Sequence, residues 1–159
     1  MPCYLLTFHG YGTWLPDRER GYVKRNIGVL AQNLEMAANY RRKQDQTTID
    51  FDESVQEDLI DGILHACSCI EVHCHSIASD RSHIHLIVSW KTERTRESIC
   101  RAIKSSLTRR LNEKYGNRLW FSKGSSHKRV SDRSHFEYLT RSYLPRHRGI
   151  CWQEKTCDS

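Results

Sequence analysis

Apolar side chains fall into two rhythms along this chain, one of helical spacing and one of alternation. Val55, Leu59, Ile63 and Ala66, widened by Ile60 and Leu64, predict a helix from about Asp52 to Ser68. Asp52, Glu53 and Ser54 supply its N-terminal cap and dipole partners. Ile99, Ile103, Leu107 and Leu111 predict a second over Glu97 to Tyr115, ended by Gly116-Asn117. Leu30, Leu34, Ala37 and Ala38 suggest another within 28–44, closing on Arg41-Arg42-Lys43. A last helix, 133–144, follows the capping pair Ser131-Asp132, carries Phe136, Leu139 and Tyr143 near one face, and stops at Pro145.

Strand patterns lie between these. Cys3–His9 is aromatic and apolar; 69–77 and 83–90 form a hairpin across the polar connection Ala78–Ser82. A bulge in that hairpin would decide whether His75 lies beside His85 or on the opposite face. Residues 45–52 read as a loop packing Ile49 and Phe51. Leu119–Phe121 and the stretch around His127–Val130 are short strands or loops, and Gly149–Trp152 packs back onto the body. The order predicts an α+β fold: a mainly antiparallel sheet with helices packed on it, in one domain spanning 1–159.

Composition narrows the class. Hydrophobic residues make up 38% of 159 positions, enough for an ordinary core, and no apolar run is long enough to span a bilayer. The start of the chain lacks a signal-peptide pattern, so a cytoplasmic protein without membrane contact is expected. Seven cysteines, odd in number and loosely spaced, suggest reduced, mostly buried thiols. Residues 1–90 carry 8 Lys/Arg and 12 Asp/Glu, a net of −4; residues 91–159 carry 17 and 7, a net of +10. A basic second half points to a polyanionic partner, most simply nucleic acid.

The chemistry centres on Arg81-Ser-His-Ile-His-Leu-Ile-Val88. Successive strand side chains alternate, so His83 and His85 share one face and can both reach one divalent metal ion. Late in the chain, Tyr143-Leu-Pro-Arg-His147 puts a second metal-capable imidazole four residues, one helical turn, after a tyrosine, a competent nucleophile. A structural zinc centre on Cys67, Cys69, His73, Cys74 and His75 is the rival. It lacks a Cys-x-x-Cys pair, and adjacent strand residues point to opposite faces.

These motifs resemble the single-tyrosine HUH transposases, the small insertion-sequence transposases and REP-associated tyrosine transposases. The Arg81–Val88 segment is similar to the family's metal-binding strand, and Val72–Ile77 to the strand before it. Ile103-Lys-Ser-Ser-Leu107 resembles its lysine-bearing helix, Leu119-Trp120-Phe121 its Leu-Trp-Gln turn, and Gly12–Pro16 an N-terminal stretch of one branch. Two features depart from the pattern: His147 stands where the family has an amide, and Pro145 falls inside the tyrosine segment.

The resemblance implies a ferredoxin-like/RRM-like palm and a transposase that cleaves and transfers single-stranded DNA through a 5′-phosphotyrosine. His83, His85 and His147 would hold Mg²⁺ or Mn²⁺. Tyr143 is the nucleophile, with Tyr138, whose i+4 residue is the poor ligand Ser142, as the alternative. Arg101, Lys104, Arg109, Lys128 and Arg129 are phosphate-contact candidates, and Tyr11, Trp14 and Trp120 could stack on bases. Single-stranded or hairpin DNA is the expected partner, and a homodimer is compatible. A domesticated, non-catalytic nucleic-acid binder of the same fold is the alternative function; a water-using metal hydrolase leaves the Tyr143–His147 spacing unaccounted for.

Overall fold

Alternation and helical stripes translate into layers in the computed structural model, which describes residues 1–13, 22–24, 28–31, 33–42 and 48–155. In chain order the elements are β1 (Cys3–His9), β2 (Tyr22–Lys24), β3 (Gly28–Leu30), α1 (Leu34–Arg42), α2 (Glu53–Cys69), β4 (Val72–Ser79), β5 (His83–Trp90), α3 (Arg96–Tyr115), β6 (Ser126–Arg129), α4 (Arg133–Tyr138) and β7 (Cys151–Gln153). A π-helical turn, Leu139–Tyr143, and a 3₁₀ turn, Leu144–Arg146, extend α4 toward β7.

Five strands form an antiparallel sheet in the order β6-β1-β5-β4-β7, and β2 pairs with β3 separately. The run β1-α2-β4-β5-α3-β6 with β1 and β5 central has ferredoxin-like connectivity, so the expected α+β architecture is present. One sheet face packs on α2 and α3. Leu6, Phe8, Ile84, Leu86 and Val88 from the strands meet Leu59, Ile63, Ile99, Ile103, Leu107 and Leu111 from the helices. Each of these is fully buried, and truncating one such leucine or isoleucine to alanine costs about 2–5 kcal/mol.

Asp52 caps α2 by accepting the Val55 N–H, and Thr95 caps α3 by accepting from Ser98. Asp58, buried on α2, ties the two helices: its carboxylate accepts from Lys114 Nζ at 2.8 Å and from the Tyr115 hydroxyl at 2.5 Å. Ile49 and Phe51 are buried, as the loop reading expects.

The bulge in the hairpin sets the faces of β4. Ser79 to Ser76 pair with Ile84 to Ile87, whereas Cys74 to Val72 pair with Val88 to Trp90, and His75 is the extra residue. An unbroken register would have set His75 against Val88 and His73 against Trp90, both on the helix-covered face. With the bulge, Val72 and Cys74 enter the core, and His73 and His75 join the face that carries His83 and His85.

Three expectations need correction. Residues 28–30 are strand, and α1 starts at Leu34 under an Asn33 cap; of its expected stripe Ala37 is buried but Leu34 is exposed. Pairing of Gly28–Leu30 with Tyr22–Lys24 overrides the weak helical pattern. The last helix is not one α-helix to residue 144 but ends at Tyr138 and passes through π and 3₁₀ turns. Of the six described cysteines, all free thiols, only Cys67, Cys74 and Cys100 are buried.

Candidate active site

The sheet face opposite α2 and α3 is where the chemistry gathers. Its central patch is apolar: Leu5, Ala78 and Ile87 pack against Leu139 and Leu144, which anchor the π and 3₁₀ turns. That small second core draws the end of the helix down onto the histidine strand. Gln56, buried on α2, secures the far side of the turns. Its amide nitrogen donates to Phe51 O, its amide oxygen lies 2.6 Å from Ser79 Oγ, and Ser79 Oγ accepts the Ile150 N–H. The chain between Leu144 and Ile150, with His147 in it, is thus held at both ends.

His83, His85 and His147 come together there, each offering a ring nitrogen within 4.8 Å of the others. Ring centroids are 4.7 Å apart for His83–His85, 4.6 Å for His85–His147 and 5.5 Å for His83–His147. In all three rings Nδ1 is hydrogen-bonded: His83 to Ser82 Oγ at 2.8 Å, His85 to Thr7 Oγ1 at 2.7 Å, His147 to Leu144 O at 3.0 Å. A carbonyl only accepts, so His147 carries its proton on Nδ1 and its lone pair on Nε2. This is the arrangement of a metal-binding imidazole oriented through its distal nitrogen, and three such donors fit a divalent cation. His85 is pushed down to about 2 by burial first and then by His83, His147, His9 and Lys128, so its ring is neutral at physiological pH, the form that binds metal.

Tyr143 lies against this group, its ring centroid 5.3 Å from that of His147 and 5.6 Å from that of His85. Burial, and secondarily the neighbouring Tyr138, raises its hydroxyl above the ordinary tyrosine value. Tyr138 stacks on the outer side of Tyr143 at 6.4 Å and is 51% exposed. The expected one-turn relation between Tyr143 and His147 is met differently. Tyr143 ends the π turn and His147 caps the 3₁₀ turn in extended conformation, so the two rings converge across a tightened end of the helix.

The phosphate-contact candidates separate. Lys128 is opposite Leu5 on β6 and exposed on the histidine side. Arg129 pairs with Tyr4 and faces the other way. Arg101 and Arg109 are exposed on α3, across the sheet from the histidines. Lys104 donates to the carbonyls of Ser122 and Gly124, so its ammonium anchors that loop. Trp120 is buried with its indole N–H donated to Asn112, and Tyr11 packs against the main core. Trp14 lies outside the described residues.

The rival zinc centre does not assemble. Cys67 and Cys74 are in the core, whereas His73 and His75 lie on the opposite sheet face.

Sequence reasoning missed Thr7, which no local pattern could pair with His85 78 residues away. It missed His9, whose ring centroid is 5.7 Å from that of His83 through the β1–β5 register. It also passed over Arg141, Arg146 and Arg148, all exposed along the segment that carries Tyr143 and His147; their closeness in sequence to that pair was the signal.

Comparison with known proteins bears on the family and the fold. The family model described as IS200-like transposase matches residues 33–130, more than half of the chain, including His83 and His85 and stopping short of Tyr143 and His147. No curated protein matches significantly. Among solved structures, a protein from Deinococcus radiodurans R1 assigned as a transposase superimposes with a TM-score of 0.54 at 11% identity, covering 93% of this chain and 92% of that one. A REP-associated tyrosine transposase bound to a REP hairpin gives a TM-score of 0.49 at 9% identity over 87% of this chain; the match spans 62% of the length of that protein. Among the described residues no helix is long and apolar enough to cross a membrane.

Proposed function

The chain belongs to the IS200-like transposases, and we propose that it is a metal-dependent endonuclease and strand transferase for single-stranded DNA, cutting through a 5′-phosphotyrosine on Tyr143. One observation carries this reading: the Tyr143 ring packs on His85 and His147 of its own chain, two histidines whose Nδ1 atoms are hydrogen-bonded to Thr7 and to the Leu144 carbonyl.

In this reading Tyr143 Oη attacks the scissile phosphorus in line. The Oη–P bond forms as the P–O3′ bond breaks, the tyrosine proton leaves to solvent, and the departing 3′-oxygen takes up a proton. A divalent cation held by His83, His85 and His147 would polarise a non-bridging phosphate oxygen. The chain's own residues do the rest. Thr7 and the Leu144 carbonyl aim the imidazoles; Leu139 and Leu144 hold Tyr143 at the sheet. Lys128, exposed on the histidine side of the sheet, and Arg141, Arg146 and Arg148, exposed along the segment that carries Tyr143 and His147, are cations suited to a phosphate backbone. Three imidazoles suit Mn²⁺ better than the harder Mg²⁺, although either serves as Lewis acid. Burial raises the Tyr143 hydroxyl above its ordinary value, so it is protonated at neutral pH and gives up its proton as the bond to phosphorus forms.

The half-buried, one-sided site favours a single strand or a hairpin with a single-stranded flank, and its tyrosine and histidines come from one chain, with a homodimer compatible. In this reading the protein is nucleoid-associated, working where its DNA substrate is. The test is a hairpin-bearing single-stranded oligonucleotide incubated with Mn²⁺ and resolved under denaturing conditions. A covalent adduct is expected from the native chain and from Tyr138→Phe, and none from Tyr143→Phe. An adduct undiminished in Tyr143→Phe overturns the assignment, and DNA binding without any adduct favours the non-catalytic binder.

A further inference from the structure

A second convergence of ligand atoms lies on the same sheet face, toward the opposite ends of β4 and β5. His73, His75 and Glu154 each offer one donor atom, all within 4.8 Å of one another. We infer that they form a second divalent-metal site, separate from the tyrosine site, that takes zinc or a similar borderline ion and clamps β7 onto β4.

The donors can be named. His75 Nε2 meets Ser89 Oγ at 2.7 Å, which leaves Nδ1 turned toward Glu154 Oε2 at 3.9 Å. His73 Nε2 lies 2.8 Å from the same carboxylate oxygen, and the two imidazole centroids are 4.5 Å apart. Two imidazole nitrogens and one carboxylate oxygen are a donor set for Zn²⁺ with positions left for water, not for the all-oxygen preference of Mg²⁺ or Ca²⁺. Ser89 stands to His75 as Thr7 stands to His85: a hydroxyl on the neighbouring strand fixing the distal nitrogen. An ion held here would replace the His73 Nε2–Glu154 Oε2 contact.

Nothing local in the sequence assembles these three. The bulge turns His73 and His75 out of the core, and β7, paired with β4 at Ser76 to Ala78, delivers Glu154, whose N–H donates to His75 O. A pocket bordered by Glu71, His73, His75, Ser89, Lys91 and Thr92 opens onto the two imidazoles, and Glu154 is exposed beside them, so an ion reaches the donors from solvent. His147 is four residues before Cys151, where β7 begins, so a metal here fixes the far end of the segment that carries the tyrosine site.

The experiment counts metal. The protein is loaded with Zn²⁺ or Co²⁺, passed through gel filtration and analysed for retained metal, with Co²⁺ ligand-field absorption as a second readout. Two equivalents per chain are expected in the native protein. Glu154→Gln, an exposed and conservative change, and the double variant His73→Ala/His75→Ala should each lose one equivalent. The triple variant His83→Ala/His85→Ala/His147→Ala should keep the equivalent that Glu154→Gln removes. Zinc should also raise the unfolding temperature of the triple variant, and not once Glu154→Gln is added. Retained metal unaffected by Glu154→Gln and by the double histidine variant overturns the proposal. A native chain that holds one equivalent, lost on Glu154→Gln, upholds this site while refuting metal binding at the other, so the two readings fail separately.

Discussion

Thr7 Oγ1 and His85 Nδ1 lie 2.7 Å apart across the β1–β5 pairing, both buried. The contact fixes the ring plane of the most buried imidazole and presents its Nε2 to the site. Thr7→Val keeps the shape and removes the hydroxyl. It should weaken Mn²⁺ affinity at the tyrosine site about 10–100-fold by calorimetric titration. Thr7→Ser should restore most of it, which a merely structural role for the residue would not require.

Metal choice depends on the three imidazoles. Chelation should abolish DNA cleavage, and Mn²⁺ should restore it at lower concentration than Mg²⁺, read from adduct yield against metal concentration. Equal potency of the two ions would point to a site completed mainly by oxygen ligands.

The burial of His85 predicts a pH dependence of stability with a definite sign. Its folded value is pushed down to about 2 from an ordinary 6.5. Between those values the unfolded chain takes up a proton that the native chain refuses, so this contribution is complete above about pH 6.5 and declines as pH falls. The urea midpoint of the metal-free protein should drop from neutral pH toward pH 5, and His85→Gln should flatten that slope. Asp58 acts in the same sense at lower pH. Burial raises its carboxyl, but the Lys114 and Tyr115 hydrogen bonds outweigh that and hold it low, so its tie between α2 and α3 is lost only on further acidification.

Gly149 tests the anchoring of the tyrosine segment. A Cβ there would run into the Gln56 amide oxygen and the Ser79 carbonyl. Gly149→Ala should therefore push the Ile150 end of the segment off β4, lowering stability by about 1–3 kcal/mol. Cleavage should fall further than stability accounts for, because His147 is displaced. Gly62→Ala makes the comparison: it crowds Leu107 and Arg110 between α2 and α3 and should lower the unfolding temperature without a separate effect on adduct formation by the folded fraction.

Because Tyr143 packs on histidines of its own chain, a mixture of Tyr143→Phe and His83→Ala/His85→Ala proteins should not regain adduct formation. Recovered activity in the mixture would mean that the tyrosine serves a second copy.

The parts of this fold written in local periodicity could be read directly. The stripes of α2 and α3 and the hairpin of β4 and β5 are there because each buried residue is three, four or two positions from the next. His83 and His85 could be read for the same reason, and His147 because it comes closely after a tyrosine. The features that could not be read depend on register between distant segments. Thr7 meets His85, Glu154 meets His73, and Lys128 shares a face with the histidines only through strand pairing. The π turn was equally hidden, since Leu139 and Leu144 favour it only once Leu5 and Ile87 are there to receive them.

The extra residue at His75 has a consequence for how this strand can change over time. Upstream and downstream of it, β4 is out of step by one residue, so the two lengths answer to separate alternations. A lineage can rewrite Val72 to Cys74, gaining or discarding the outward histidine, while the catalytic end of the hairpin keeps its phase. A single-residue deletion there does what no substitution can: it exchanges inside for outside over that whole length at once.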